Sequence, residues 1–284
     1  METRELRYFV TVAEELHFSR AAERLGMAQP PLSRAIQQLE RRLGVTLLER
    51  DRRGVALTDA GRVLLDEARV LLDGAAAAAR RTRRAASAGN RLTLVTKAGA
   101  GHELLRKLLD AHAAEPGAAE IDVVLCRMGE QARMLRDGRA DVALMQRPFD
   151  AVGGFDTEDL QTEQQVAILP AAHSLAARET LTLADLDDVP GLPLARWPGP
   201  DGAYPPGPGP EIHDQSQLAQ LIALGRTAAV LCASSRSWLW DAHAAVPLTD
   251  AWEVTTVLAW PAHSRSKPVA GLVGTAVRTF GSPG

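Results

Sequence analysis

At 284 residues, 46% hydrophobic and 24% charged, the chain is long enough for two or three domains with sizeable cores. Two widely separated cysteines, Cys126 and Cys232, exclude a disulfide framework and a zinc site, and no apolar run is long enough to span a membrane. The net charge of −3 is unevenly spread: residues 1–90 hold 16 Lys/Arg against 12 Asp/Glu, and residues 91–284 hold 16 against 23. The basic excess thus lies in the N-terminal third, as a nucleic-acid contact there would require. Nothing near the N-terminus reads as a signal peptide, so a soluble cytoplasmic protein is expected.

Leu6, Phe9, Ala13 and Leu16 recur at helical spacing and predict a first helix with one buried face. Ser19 is the expected N-cap of a short second helix, Arg20 to Leu25, and Gly26 supplies the turn after it. A third helix should start near Gln29, with Pro30 and Pro31 in its first turn, where no intrahelical N–H is lost. Its apolar stripe is Leu32, Ile36, Leu39 and Leu43; its other face carries Gln29, Ser33, Arg34, Gln37 and Arg41. Amide and guanidinium groups opposite a buried stripe suit a recognition helix, since Gln pairs with adenine and Arg with guanine or phosphate. Ala28, the expected cap, has no side-chain acceptor, which leaves first-turn amides for water or for a DNA phosphate. Gly44 ends the helix, and Val45–Leu48 and Gly54–Leu57 flank ERDRRG as a two-stranded wing with Arg50, Arg52 and Arg53 at its tip.

These residues, LRYFVTVAEELHFSRAAERLGMAQPPLSRAIQQLERRLGVTLLERDRRGVALTDAGR, resemble the N-terminal winged helix-turn-helix of LysR-type transcriptional regulators, unbroken from about Leu6 to Arg62. The resemblance implies Gln29, Pro30, Pro31, Ser33 and Arg34 at the DNA, with Arg50 and Arg53 on the backbone or minor groove. It also implies a homodimer or homotetramer on an interrupted inverted repeat of double-stranded DNA, with a small-molecule effector and RNA polymerase as further partners and no cofactor. In such a regulator the ligand, or closure of the lobes around it, changes how the DNA is bent.

Thr58 and Asp59 can cap a long helix to about Ser87, in which Leu64, Ala68, Leu71, Ala75 and Ala78 form a coiled-coil seam suited to dimerisation. Packing within its own domain is the other reading of that face. Ser87–Asn90 reads as a hinge. From Arg91, strands alternate with helices, as in an α/β domain with a largely parallel sheet. In LysR-type regulators the matching region is a two-lobed effector domain like a periplasmic binding protein. The expected organisation is a winged helix-turn-helix over 1–58 and a linker and dimerisation helix over 59–89. A regulatory domain follows over 90–284, with lobe 1 at about 91–160 and 262–284 and lobe 2 at about 161–261, the strand WEVTTVLAW included. Segment 197–210, WPGPDGAYPPGPGP, cannot be helical; it departs from the family pattern and predicts a shortened second lobe with a shallower, more open cleft.

Open α/β sheets bind ligands beyond the carboxyl ends of their strands. That rule selects Thr96, Lys97, Ala98, Gly99, Arg127, Met128, Gly129, Gln146 and Arg147 in lobe 1, and Arg196, Trp197, Cys232, Ala233 and Ser234 in lobe 2. The cations among them point to an anionic ligand, unless Lys97, Arg147 and Arg196 pair with nearby acids. The two cysteines end apolar strands and read as core residues before redox sensors. Two other readings stand beside the effector-controlled regulator. One is a ligand-independent DNA-binding protein whose C-terminal domain serves only assembly. The other is an α/β enzyme, against which count the absence of a G-x-S-x-G, a phosphate loop or an HExxH and the lack of metal-ligand spacing among seven histidines.

Overall fold

The computed structural model describes residues 1–281 except 52–53, 87–89, 100, 188 and 200–202. The chain forms two compact units, Met1–Ser87 and Ala88–Gly284.

In the first unit, α1 (Thr3–Glu15) begins with a reciprocal capping box between Glu2 and Glu5. It buries Leu6, Phe9, Val12 and Ala13. Leu16, expected on that face, is instead the C-cap: it turns left-handed at φ 47° and is 45% exposed. The next helix, α2 (Phe18–Arg24), starts before the expected Arg20, and its cap is not Ser19. The Nδ1 of His17 accepts the Arg20 N–H at 3.3 Å, which leaves Ser19 inside the first turn. Helix α3 (Gln29–Leu43) ends as predicted at Gly44, φ 70°. Leu32, Ile36 and Leu39 are fully buried against α1 and α2, but Leu43 lies in the last turn, past the core, and is exposed.

The wing is β1 (Leu48–Asp51) antiparallel to β2 (Gly54–Leu57), and it starts three residues later than the sequence suggested. Val45–Leu47 are spent turning off α3, and Glu40 fixes that turn by accepting the N–H groups of Leu47 (2.9 Å) and Leu48 (3.2 Å). Thr58 caps α4 (Asp59–Ala86), its hydroxyl accepting the Gly61 N–H at 2.9 Å. The proposed seam of α4 divides. Leu64 and Ala68, with Leu65 beside them, are turned to the unit's own core, whereas Leu71, Ala75 and Ala78 stay exposed, as do Val63 and Val70 outside the seam. The expected hinge at Ser87–Gly89 lies outside the described residues.

The second unit has two sheets. The first holds β3 (Arg91–Lys97), β4 (Glu120–Cys126), β5 (Val142–Arg147), β6 (Phe155–Glu163) and β10 (Val254–Pro261), in the order β4-β3-β5-β10-β6. Strands β3, β4 and β5 are parallel; β10 runs antiparallel to β5 and β6. WEVTTVLAW was expected in lobe 2, but as β10 it sits in the lobe 1 sheet, buried between β5 and β6. Apolarity marks a strand without naming its partners. Helices α5 (His102–Ala113) and α6 (Glu130–Arg136) cross between the parallel strands, and the last helix, α8 (Lys267–Phe280), packs beside α5 on this sheet. Lobe 2 centres on β7 (Gln165–Pro170), antiparallel to both β8 (Ala229–Cys232) and β9 (His243–Pro247), with α7 (Gln215–Ala223) packed on it.

The Pro/Gly segment does not leave lobe 2 open. Parallel bridges join Leu194 to Ala228 and Arg196 to Glu211, and the Arg196 side chain gathers the segment around itself. Its Nε donates to the Gly209 carbonyl (2.6 Å), one terminal nitrogen donates to the Pro205 carbonyl (2.8 Å), and the other pairs with Glu211 (3.1 Å). Gly209 is buried so tightly that a Cβ would overlap the Leu194 carbonyl. Gly209→Ala should therefore lower the unfolding free energy of this unit by about 1–3 kcal/mol. Urea unfolding followed by tryptophan fluorescence measures this, because all five tryptophans lie beyond residue 190. An unchanged midpoint would contradict it.

Candidate DNA interface and effector cleft

Burial of Leu32, Ile36 and Leu39 fixes the rotation of α3, and Gln29, Pro30, Pro31, Arg34 and Gln37 are consequently exposed; Ser33 is half-buried at the edge of that face. Arg34 reaches back toward the Pro30 carbonyl at 3.5 Å, a marginal hydrogen bond that leaves its fork available. Ala28 supplies no cap. Of the first three helical residues only Gln29 has an N–H, because the next two are prolines, so the anion site expected there is reduced to a minimum. Arg41 is exposed on the same helix. Arg42 pairs instead with Glu5 of α1 and helps hold α3 in place. Arg53 and the side chain of Arg50 fall outside the described residues. Glu40, which fastens the wing to α3, was missed by the sequence reading; its signal was a lone acid facing the turn after Gly44.

In the second unit the carboxyl ends of β3, β4 and β5 open onto a cavity of about 470 Å³, within the range of small-molecule sites. Lobe 1 contributes Lys97, Ala98, Gly99, Arg127, Met128, Gly129 and Gln146, and lobe 2 contributes Trp197, Cys232 and Ser234. Ten of the sequence candidates are thus brought together, and four are not. Thr96 is buried below the cavity. Ala233 packs into the lobe 2 core. Arg147 points across the sheet to Asp159, and Arg196 is consumed by the Pro/Gly segment. Residues the sequence reading missed complete the walls. Gln131, Arg133 and Arg136 come from α6, Phe149 and Asp150 from the turn after β5, and His213 to Gln215, Leu218 and Trp238 from lobe 2. Far from removing a wall, the Pro/Gly segment provides Trp197, Pro198 and Gly199. The lobes approach closely here: a Cβ on Gly99 would meet the Gln215 side chain, and Ser237 Oγ lies 3.4 Å from His102 Nδ1.

The polar groups of the cavity are largely matched internally. Lys97 Nζ donates to Asp150 (3.0 Å) and to the side-chain amide oxygen of Gln146 (3.0 Å), with both ion-pair side chains almost wholly buried. Asp214 accepts the Gln217 N–H at 2.8 Å as the α7 cap. Ser234 is bonded through N–H and hydroxyl to Glu163. The anionic-ligand expectation therefore loses its three principal cations, Lys97, Arg147 and Arg196, each of which has a carboxylate partner. Arg127 and Arg133, exposed at the mouth, have no carboxylate partner among the described residues. Among the described residues no cluster of His, Cys, Asp or Glu is arranged to hold a metal ion.

The profile described as the bacterial regulatory helix-turn-helix protein of the lysR family matches residues 3–62, and the LysR substrate binding domain profile matches residues 85–281. The chain belongs to the LysR family. It is similar to the HTH-type transcriptional regulator AlsR of Bacillus subtilis, 35% identical over 70% of this chain and 66% of that one. It is also similar to the Hca operon transcriptional activator HcaR of Escherichia coli, 40% identical over 66% of this chain and 64% of that one. The matched stretch thus spans about two thirds of the length of these relatives. Full-length CbnR, solved as a complex with its target DNA, superposes with a TM-score of 0.61 at 25% identity, over 98% of this chain and all of that one. These relatives are regulators, and the enzyme reading falls away. No helix among the described residues is long and apolar enough to cross a membrane.

Both cysteines of this LysR-family chain line the cleft, yet burial pushes each thiol up to about 12, with Glu130 and Asp150 adding to the effect at Cys126 and Glu163 at Cys232. At pH 8 both thiols then stay protonated, and the thiolate is the reactive form. Native protein at pH 8 should resist iodoacetamide while urea-unfolded protein is labelled twice, as read by intact-mass spectrometry. Rapid labelling of either cysteine in the native state would reinstate redox sensing.

Proposed function

We propose that this protein is a DNA-binding transcriptional regulator whose operator affinity is set by a small molecule in the cleft of its C-terminal unit. The observation that carries the reading is the division of α3 into two faces. Leu32, Ile36 and Leu39 are locked in the core, and Gln29, Arg34 and Gln37 are left outward as a donor- and acceptor-rich surface of major-groove width. In this reading Gln29, Ser33, Arg34 and Gln37 meet base edges, and Pro30 and Pro31 let the first turn approach the backbone. Arg50 and Arg53 at the wing add backbone or minor-groove contacts. The likeness to CbnR, solved with its target DNA, supports the same use of the N-terminal unit here.

The exposed Val63, Val70 and Leu71 of α4 support a homodimer, with a homotetramer as its higher form, joined through that helix. A dimer would place two α3 helices on two half-sites of an interrupted inverted repeat. RNA polymerase is the further partner of such a regulator, and its operator DNA puts it in the cytoplasm. The cleft supports effector control over mere assembly, because a cavity of about 470 Å³ lined by aromatic and thioether groups is more than a scaffold needs.

Footprinting on the DNA upstream of its own gene should reveal a protected inverted repeat. On that DNA, Ser33→Ala and Arg34→Ala should weaken specific binding by about 1–3 kcal/mol each and leave binding to random DNA within a factor of a few. Arg53→Ala should weaken both and lower the salt slope by about one. Equal losses on specific and random DNA for all three would sink the assignment of base readers.

A further inference from the structure

Lys97, Asp150 and Gln131 are polar side chains buried in the lining of the cleft, and Gln131 differs from the other two. Lys97 and Asp150 pair with each other, and Lys97 also donates to Gln146. Gln131, the second residue of α6, is fully buried, and neither its amide oxygen nor its amide nitrogen has a hydrogen-bond partner among the described residues. An unpaired buried amide is costly, and natural structures hold few of them without a reason. Its position at the cavity supplies a reason: the missing partner is a ligand.

We infer that Gln131 is the specificity-determining residue of the cleft, and that it reads an uncharged group with a donor and an acceptor side by side, such as a carboxamide or lactam on an apolar body. This rests on the effector-cleft reading above and names the ligand class for it. The two amides match. A side-chain amide offers an acceptor oxygen and a donor nitrogen in one plane, and another amide satisfies both at once. A carboxylate satisfies the nitrogen but sets a negative oxygen against the Gln131 oxygen. The deep cation is no counterweight, because Lys97 is already paired with Asp150. The arginines at the mouth are exposed, so an ion pair there is screened by water and worth little. Around Gln131 the cavity is lined by Met128, Met145, Phe149, Trp197 and Trp238, which suit a flat apolar body. Gln131 has no hydrogen bond to give up in engaging a ligand.

Two probes of one shape separate the alternatives: 2-naphthamide and 2-naphthoate, titrated by calorimetry into the full-length protein and into Gln131→Met. In the wild type the amide should bind about tenfold tighter than the carboxylate, the worth of one additional hydrogen bond and of the avoided repulsion between two oxygens. In Gln131→Met, which keeps the volume and loses both polar atoms, that advantage should vanish. The same variant, free of ligand, should unfold at a higher temperature than the wild type, since it removes an unpaired amide from the interior. A wild type that prefers 2-naphthoate, or a preference for the amide that survives in Gln131→Met, overturns the inference while leaving the effector cleft standing. Failure of both probes to bind overturns the inference and the effector-cleft reading together. A Gln131→Met protein that melts lower or does not fold contradicts the unpaired state of the amide.

Discussion

The ε-ammonium of Lys97 lies 3.0 Å from the Asp150 carboxylate and 3.0 Å from the Gln146 amide oxygen, with almost no contact with water. A buried ion pair of this kind is tolerated because each charge cancels the other; removing one partner leaves a charge that the interior cannot solvate. The rest of the cleft follows from that constraint. Lys97 ends β3, Gln146 lies on β5 and Asp150 on the turn beyond it, so the pair ties together the strand ends that form the cavity floor. Asp150 also accepts the Gln146 N–H at 2.7 Å, which fixes the turn that carries Phe149 into the wall. Gln146 in turn points its amide nitrogen at the Cys232 sulfur of lobe 2, 3.4 Å away. The floor is thus electrically closed by the Lys97–Asp150 pair.

The N-terminal unit obeys a comparable constraint without charge. Three leucine and isoleucine side chains of α3 must be dry, and one helix cannot bury both faces against α1 and α2. Gln29, Arg34 and Gln37 are outward because Leu32, Ile36 and Leu39 are inward. Arg42 to Glu5 and Glu40 to the wing then set the helix against its neighbours from either side. The outward face of α3 is thus a by-product of the core, which is why its residues could be read from periodicity.

Where a feature depends on local spacing, the sequence was readable. The limits of α3 were visible in Pro30, Pro31 and Gly44, and the strand ends that build the cleft were visible in LTLVT, VVLC and DVALM. Where it depends on partners distant in the chain, the sequence was silent. Nothing in a list of residues joins Lys97 to Asp150, 53 positions away, so a neutralised lysine looked like a site for anions. Arg196 looked like a ligand for the same reason, since its partners at Pro205 and Gly209 are backbone carbonyls that carry no side-chain signal. The glycines and prolines of 197–210 ruled out a helix correctly, but they gave no sign that Arg196 would tie the irregular chain down or that Trp197, Pro198 and Gly199 would line the cavity. Gln131 sat inside an unremarkable EQARMLR helix, and only its lack of partners sets it apart.

The most direct test of this account is a double-mutant cycle on Lys97 and Asp150, read by urea unfolding and tryptophan fluorescence. Lys97→Met and Asp150→Leu alone should each cost about 3–5 kcal/mol, while the double variant recovers most of that loss. Additive losses, or a harmless Lys97→Met, would mean that Lys97 is not neutralised by Asp150 and is free to receive an anionic ligand.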